Sequence, residues 1–347
     1  MSTLGTNYLT LADWAKRVDP DGGIPIMVDL LSQTNEILDD MLWTETNETT
    51  SHKTSVLTGL PSGTWRQLYQ GVSPTKSVRA NIIDTVGNLE AYSVMDKDLA
   101  DLNGNTAAFR MSEDMPFYEG LSQQMATALL YSNALATPQQ IMGLSPRYPT
   151  TTVATAQTAN NVINMGGTGS TNTSIWVGQW GPNTSFGLFP RGKKAGLMMN
   201  DLGQYTQTNS DGSKYQVYQS HFKWEAGLCV RDWRYWVRLA NIDVSLLNGI
   251  NAANLINGLI RAFHRFPTAP RSVANVQSAT RPSSVLGGTR MAIYANRTIA
   301  TYLDLQALNK TNVLLSIGEF DGRPVTMFRG VPIRTVDALL NTEAALT

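Results

Sequence analysis

SEDMPFYEGLSQQMATALLYSNALATP, residues 112–138, reads as one long helix. Ser112, Glu113 and Asp114 place polar and negative groups where helix amides lack partners, and Pro116 suits a first turn. Phe117, Leu121, Met125, Ala128, Ser132 and Leu135 recur at steps of three or four, which sets them on one face that Leu129 and Leu130 widen. Pro138 ends the run, since it offers no amide and disfavours helix in Thr137. About 22 helical residues at 1.5 Å each give a helix about 33 Å long, the width of a small domain. A rod that long and one-sided needs a broad sheet or a neighbour to cover it. Spacing alone says core helix and no more.

The chain has 347 residues, enough for two or three core-bearing units. Its apolar content, 42%, is that of a globular protein, but charged residues make up only 16% and cancel at 27 of each sign. A neutral, charge-poor chain makes a poor general nucleic-acid binder, because that affinity rests on many phosphate contacts. Ser, Thr, Asn, Gln and Gly replace the missing charge, which suits broad protein–protein contact as well as a plain polar exterior. The single cysteine, Cys229, excludes an internal disulfide and sits in a strand-like run, where a buried, inert thiol is expected. The opening MSTLGTNYLTLADWAKR lacks a charged head followed by an apolar block, so no secretion signal is expected. No apolar run reaches the length of about 18 residues that crosses a membrane.

Residues 1–23 read as an extended arm with one short turn around Leu11, Trp14 and Ala15, broken by Asp19-Pro20-Asp21-Gly22-Gly23. A second helix is expected from Pro25 to about Leu42. Short β-prone pieces follow at 54–58, 64–70 and 77–86, and Leu60-Pro61-Ser62-Gly63 carries a type I turn signature. Together they read as a long two- or three-stranded ribbon with few apolar residues. A lone ribbon is barely stable in water. It either folds back onto its own domain or lies on another subunit. In the second case Leu60, Pro61, Trp65, Arg66 and Tyr69 near the tip, with Trp14 of the arm, are the expected contact residues.

The Thr-, Gly-, Ser- and Asn-rich stretches 150–158 and 166–174 read as exposed loop. A strand resumes at 175–180. Segments 204–209 and 215–243 are β, with a hairpin signal at Ser210-Asp211-Gly212-Ser213. Trp233, Tyr235, Val237 and Leu239 alternate with Arg234, Trp236 and Arg238, so both faces carry bulk and a central strand covered on both sides is expected. Residues 246–263 read as a third helix, in which Gly249 and Gly258 either weaken the helix or mark close packing. Residues 291–295 are a strand, and Asn296 caps a helix carrying Ile299, Leu303 and Leu308. The end is β, over 313–317, 324–328 and 331–336, with turns at Asp321-Gly322 and Arg329-Gly330.

The most tempting motif is Gly187-Leu188-Phe189-Pro190-Arg191-Gly192-Lys193-Lys194, a phosphate loop in all but its last place. Lys194 cannot supply the hydroxyl that binds magnesium there. Pro190 constrains the loop, and no strand ending in Asp or Glu stands out as its partner. A basic surface turn is expected; a nucleotide-binding enzyme using Gly187–Lys194 is the remote alternative. His52, His221 and His264 lack metal-ligand spacing, Cys229 has no thiol-enzyme arrangement, and no GxSxG elbow is present. No catalytic residue, metal or cofactor is expected. Arg231, Arg234 and Arg238 form a basic stripe beside Trp233 and Trp236, read as strand or subunit ion pairing ahead of nucleic-acid stacking.

Several blocks then fall into a familiar order. They are Ser174-Ile175-Trp176, Trp180-Gly181, Pro190-Arg191-Gly192-Lys193-Lys194-Ala195-Gly196-Leu197 and Asp201-Leu202-Gly203. After them come Val230-Arg231-Asp232-Trp233-Arg234-Tyr235, Ala240-Asn241-Ile242-Asp243, Ile293-Tyr294-Ala295-Asn296-Arg297-Thr298 and Gly330-Val331-Pro332-Ile333-Arg334-Thr335-Val336-Asp337-Ala338-Leu339. The set resembles the major capsid proteins of short-tailed bacteriophages of the epsilon-fifteen type, from about residue 24 to the end. The resemblance implies an α+β class fold of the Hong Kong 97 coat type. In it 1–48 is the N-terminal arm and helix, and 49–94 is the extended β-ribbon loop that lies on a neighbour. Residues 95–243 are the peripheral domain with 112–138 as spine helix, and 244–347 are the axial domain.

The function so implied is a major capsid protein, a structural protein that self-assembles into the icosahedral head shell around the double-stranded DNA of a tailed bacteriophage. Implied partners are copies of itself in hexamers and pentamers, a portal, cement and scaffolding proteins, and packaged double-stranded DNA touched non-specifically; no membrane is involved. The place implied is the virion, after assembly in the bacterial cytoplasm. The arm begins within a few residues of Met1, so any scaffold is expected as a separate chain, and no cross-linking Lys, Asn and Glu set matches. An encapsulin-type nanocompartment shell is the alternative with the same fold; the arm-like residues 1–23 speak against it.

Overall fold

The computed structural model describes residues 32–102, 104–247, 253–267, 290–308, 315–320 and 323–347. In chain order these form α1 (Ile37–Asp40), β1 (Trp43–Glu45), β2 (Ser51–Gly59), β3 (Val78–Asp96), α2 (Lys97–Asp101), α3 (Thr106–Tyr131), β4 (Val162–Asn164), β5 (Asn172–Trp180) and β6 (Ser185–Phe189). There follow β7 (Leu197–Thr208), β8 (Lys214–Val230), β9 (Trp236–Asp243), α4 (Leu255–Phe263), β10 (Arg290–Ala295), α5 (Arg297–Leu308), β11 (Leu315–Phe320), β12 (Arg323–Phe328) and β13 (Val331–Thr335). Two compact units result. One gathers Asn88–Ala126 and Ala195–Ala226, the other Thr34–Gly87, Thr127–Lys194 and Gly227–Thr347.

The larger unit is built on a seven-stranded sheet ordered β11-β12-β13-β10-β5-β9-β4. β9 is buried along almost its whole length, as the bulk on both of its faces predicts. It starts only at Trp236, because Trp233–Tyr235 wind into a 3-10 turn whose Arg234 amide donates to Asp232 Oδ1 at 3.0 Å. Val237 and Leu239 of β9, Val177 of β5 and Ile293 of β10 join Leu255 and Leu259 of α4 and Ile299 and Leu303 of α5 in one core. The alternate residues carry an aromatic cluster: Trp236 lies 5.0 Å from Trp180, edge to face, and 6.1 Å from Tyr294, stacked. Asn296 caps α5 by accepting from the Thr298 amide at 3.0 Å.

The helix expected over 246–263 begins at Leu255, after a 3-10 turn at Val244–Leu246; Gly249 lies outside the described residues. Gly258 marks close packing. A Cβ there would stand 2.7 Å from Leu239 Cδ2 and 3.0 Å from Met165. Gly258→Ala is therefore expected to destabilise the unit by about 1–3 kcal/mol, although alanine is the better helix former. A lowered urea midpoint is the check; an unchanged or raised one sinks the packing argument.

Around this sheet the same unit pins its other segments. Of the helix expected from Pro25 to Leu42, residues 25–31 lie outside the described residues and only Ile37–Asp40 is helical in the rest. Asn35 bridges Val336, and the Glu36 amide donates to the Thr335 carbonyl at 3.3 Å. β1 runs parallel to β6, which pairs antiparallel with the end of β8. Cys229 is fully buried there among Phe186, Leu188 and Val86, and burial pushes its thiol far above the usual range. Arg329 and Gly330, both at positive φ, turn β12 into β13 as expected; Asp321 and Gly322 lie outside the described residues. Segment 166–174 is only partly the exposed loop expected: Asn172, Thr173 and Ser174 are buried as the start of β5.

In the smaller unit β7 and β8 form a long antiparallel hairpin from Leu197↔Trp224 to Thr208↔Lys214, closed at the expected place with Gly212 at φ 86°. Tyr218 packs on Met95, Ala100 and Phe109, and Phe117 stacks on Phe222 at 5.4 Å.

α3 departs from expectation at both ends. It starts six residues before Ser112, on the helix-favouring run from Thr106 to Met111, so Pro116 lies inside it rather than in its first turn. It stops at Tyr131, seven residues before Pro138. The cause is a returning segment of the larger unit: the amides of Leu144 and Gly143 donate to the carbonyls of Leu129 and Ser132, both at 2.9 Å, and so satisfy the free helix end. Gly143 is required for that approach, since a Cβ would stand 2.8 Å from the Ala128 carbonyl. Leu135, expected on the apolar face, is 84% exposed.

Candidate functional site

β2 and β3 pair antiparallel from Ser51↔Thr85 to Gly59↔Val78 and make the ribbon read from the sequence. Its root is held by Arg147, which donates to Asp84 Oδ1 at 2.7 Å and to the Leu228 carbonyl at 3.1 Å. His52 sits opposite Asp84 with its ring edge on Phe186 at 5.4 Å, and burial lowers its proton affinity.

Beyond the last rung, residues 60–77 form no strand, so the piece expected at 64–70 is loop. The turn expected at Leu60–Gly63 is also missing; the chain reverses instead at Leu68 and Tyr69, where Gln70 donates to the Gln67 carbonyl at 3.2 Å and Tyr69 takes φ 70°. Hairpin length explains both misreadings: an 18-residue tip has no strand partner left to order its middle. Leu60 is 81% exposed, Trp65 102% and Tyr69 103%, and Pro61 and Arg66 are exposed as well. Five of the six residues singled out thus share one loop; Trp14 lies outside the described residues. Exposed apolar side chains gather in that one loop.

The phosphate-like loop has no such geometry. Gly187 is inside strand β6, and the segment after it turns at Arg191 and Gly192 into loop, with no helix to aim amides at a phosphate. The Gly192 amide donates instead to the carboxylate of Glu45 at 2.6 Å, and the Arg191 amide to Thr46 Oγ1 at 3.1 Å. An acidic side chain holds the place an anionic ligand would need. Equilibrium dialysis with magnesium ATP is expected to give no binding tighter than about 1 mM, and Lys193→Ala to change nothing; saturable tighter binding lost on that substitution would restore the enzyme reading.

Two of the three arginines of the basic stripe form ion pairs. Arg234 pairs with Asp232 at 2.7 Å, and buried Arg238 with Glu343 at 2.9 Å. Arg231 donates to Asn183 Oδ1 at 3.2 Å. Trp236 is fully buried and offers no face to a base. Glu343 was not singled out by any motif; only its partners, 105 and 169 residues away, reveal it. Among the described residues no group of three His, Cys, Asp or Glu could hold a metal, and no helix is long and apolar enough to cross a membrane.

Residues 19–347 match the family model of major capsid protein GP7. The cryo-EM structure of bacteriophage epsilon15 is similar over 100% of both chains, with 34% identity and a TM-score of 0.78. The SrpI encapsulin of Synechococcus elongatus PCC 7942 covers 68% of this chain with 97% of its own, at 10% identity and a TM-score of 0.45, too low to bear on function. The capsid of a native GTA particle is as remote, at 12% identity and 0.42 over 68% of this chain and 99% of that one. No curated protein matches in sequence.

Proposed function

This chain belongs to the major capsid protein GP7 family, and from that premise we propose that its exposed ribbon is the strap by which one copy holds the next. The protein is the coat subunit of a tailed-phage head, with the α+β Hong Kong 97-type fold, and copies of it form the icosahedral capsid of the virion. The observation that carries the strap reading is the ribbon tip, where Trp65 and Tyr69 stand fully in water. Leu60, Pro61 and Arg66 beside them, and Trp14 of the arm, complete the contact set.

On the same reading 1–48 serves as arm and helix, 49–94 as extended loop, 95–243 as peripheral domain and 244–347 as axial domain. Ring-closing contacts make hexamers and pentamers. Many weak extended contacts then add up to a strong shell through multivalency. The chain works by assembly, with no bond-making step. A portal, cement or scaffolding proteins and packaged double-stranded DNA are the further partners, the DNA touched loosely because the chain carries no net charge. Negative-stain images of the protein expressed in bacteria, alone and with the products of neighbouring genes, test the proposal. Closed shells are expected. Particles that never advance past monomers at any concentration would overturn it.

A further inference from the structure

The neutral total hides a segregation of charge. Residues 54–83, the outer ribbon, contain Arg66, Lys76 and Arg79 and no Asp or Glu. Residues 34–52 contain Glu36, Asp39, Asp40, Glu45 and Glu48 and no Lys or Arg. We propose that the cationic tip of one copy's ribbon docks on the acidic 36–48 stretch of a second copy. This names the receiving surface for the strap and rests on the strap reading.

The two charge sets cannot satisfy each other within a copy. The acidic stretch is fixed to the body, by Glu36 on Thr335 and by β1 on β6. Arg79 pairs with Leu57, six rungs out from Ser51, which at about 3.3 Å per residue is roughly 20 Å. Lys76 and Arg66 lie beyond it. That is more than twice the screening length of about 8 Å at physiological salt. Within the acidic stretch, Glu36 and Asp40 already face Arg334 at 3.6 and 3.4 Å, and Glu45 sits beside the basic turn at Gly192. Asp39 and Glu48 are exposed, and among the described residues neither has a basic partner within salt-bridge distance. The Glu48 carboxylate accepts from the Ser51 hydroxyl at 2.5 Å and acts on the weakly basic His52 ring, with no Lys or Arg beside it among the described residues.

Leu42, 40% exposed, lies between them in sequence and gives the apolar contact that Trp65 and Leu68 need beside Arg66. Two other arginines are already engaged within the copy: Arg265 donates to the Val162 carbonyl at 3.0 Å and Arg297 pairs with Asp337 at 2.8 Å. Opposite charge around an apolar centre selects partner and register more than it adds affinity.

Charge reversal decides it. One variant carries Arg66→Glu, Lys76→Glu and Arg79→Glu, another Asp39→Lys and Glu48→Lys, and a third carries all five. All five side chains are exposed, so unchanged thermal melts are expected of each monomer. By sedimentation and negative stain, either reversal alone is expected to cut the fraction in shells at least tenfold, and the combination to restore at least half of it. Loss without restoration places the ribbon on some other surface and overturns the pairing. Intact shells that merely lose packaged DNA from the ribbon variant overturn it too, since the cations would then serve phosphates. If the unmodified chain forms no shell, the strap reading itself falls.

Discussion

Trp65→Ala leaves the monomer as stable as before and reduces shell formation more than tenfold. The indole is 102% exposed in the single chain, so nothing in the fold depends on it. Substitutions at such positions change unfolding free energy by no more than about 0.5 kcal/mol. Across a contact, a buried Trp anchor typically accounts for about 2 kcal/mol or more. Since 1.4 kcal/mol is about tenfold in an equilibrium constant, one contact alone weakens roughly 30-fold. On the strap proposal every subunit in a closed shell both offers a ribbon and receives one, so the loss recurs at each such contact. Urea unfolding of the monomer and sedimentation of assembly mixtures are read together. An unchanged midpoint with failed assembly is the expected pair. A monomer that loses its fold would mean that the ribbon packs within its own subunit.

The ribbon was legible because its signal is local. The β-prone runs 54–58 and 77–86 mark its two strands, whereas the piece read at 64–70 and the turn read at Leu60–Gly63 fall inside an 18-residue loop. β9 was legible for the same reason, as bulk on alternate residues over 233–239, although the first three of these positions wind into a 3-10 turn. What stayed hidden depends on partners far along the chain. The polar start of β5 reads as loop by composition, yet Ser174 is fully buried because Glu343, 169 residues on, accepts its hydroxyl. The phosphate-like loop reads as a basic surface turn from its own residues, but that Glu45, 147 residues earlier, accepts from the Gly192 amide does not show there. α3 shows both cases. Its apolar period announced a helix, but its end is set by amides of Gly143 and Leu144 that periodicity cannot see.

Arg238→Ala is expected to cost the larger unit about 3–5 kcal/mol, the penalty for stranding a buried partner charge. Arg238 is 3% exposed and Glu343 8%. The guanidinium donates to Glu343 at 2.9 Å, to the Tyr148 carbonyl at 3.1 Å and to Ser174 Oγ at 3.1 Å, and lies 5.1 Å from the Trp176 ring centre. Glu343 also accepts from the Tyr131 hydroxyl at 2.5 Å, and burial with this carboxylate nearby pushes that phenol far above its usual range. Through Glu343 the final residues are drawn over the sheet, where the Leu346 amide donates to Asn241 Oδ1 at 2.7 Å. Domain stabilities run to about 5–15 kcal/mol, so the loss is about a fifth of the total or more. Removing both charges tests whether the ion pair is the cause. Arg238→Met combined with Glu343→Leu fills the space without a stranded charge, and is expected to recover most of the stability. Urea midpoints of the two single variants and the pair decide. If the pair falls as far as the sum of the singles, the tail is held by its backbone hydrogen bonds, and the buried charges are not what fastens it.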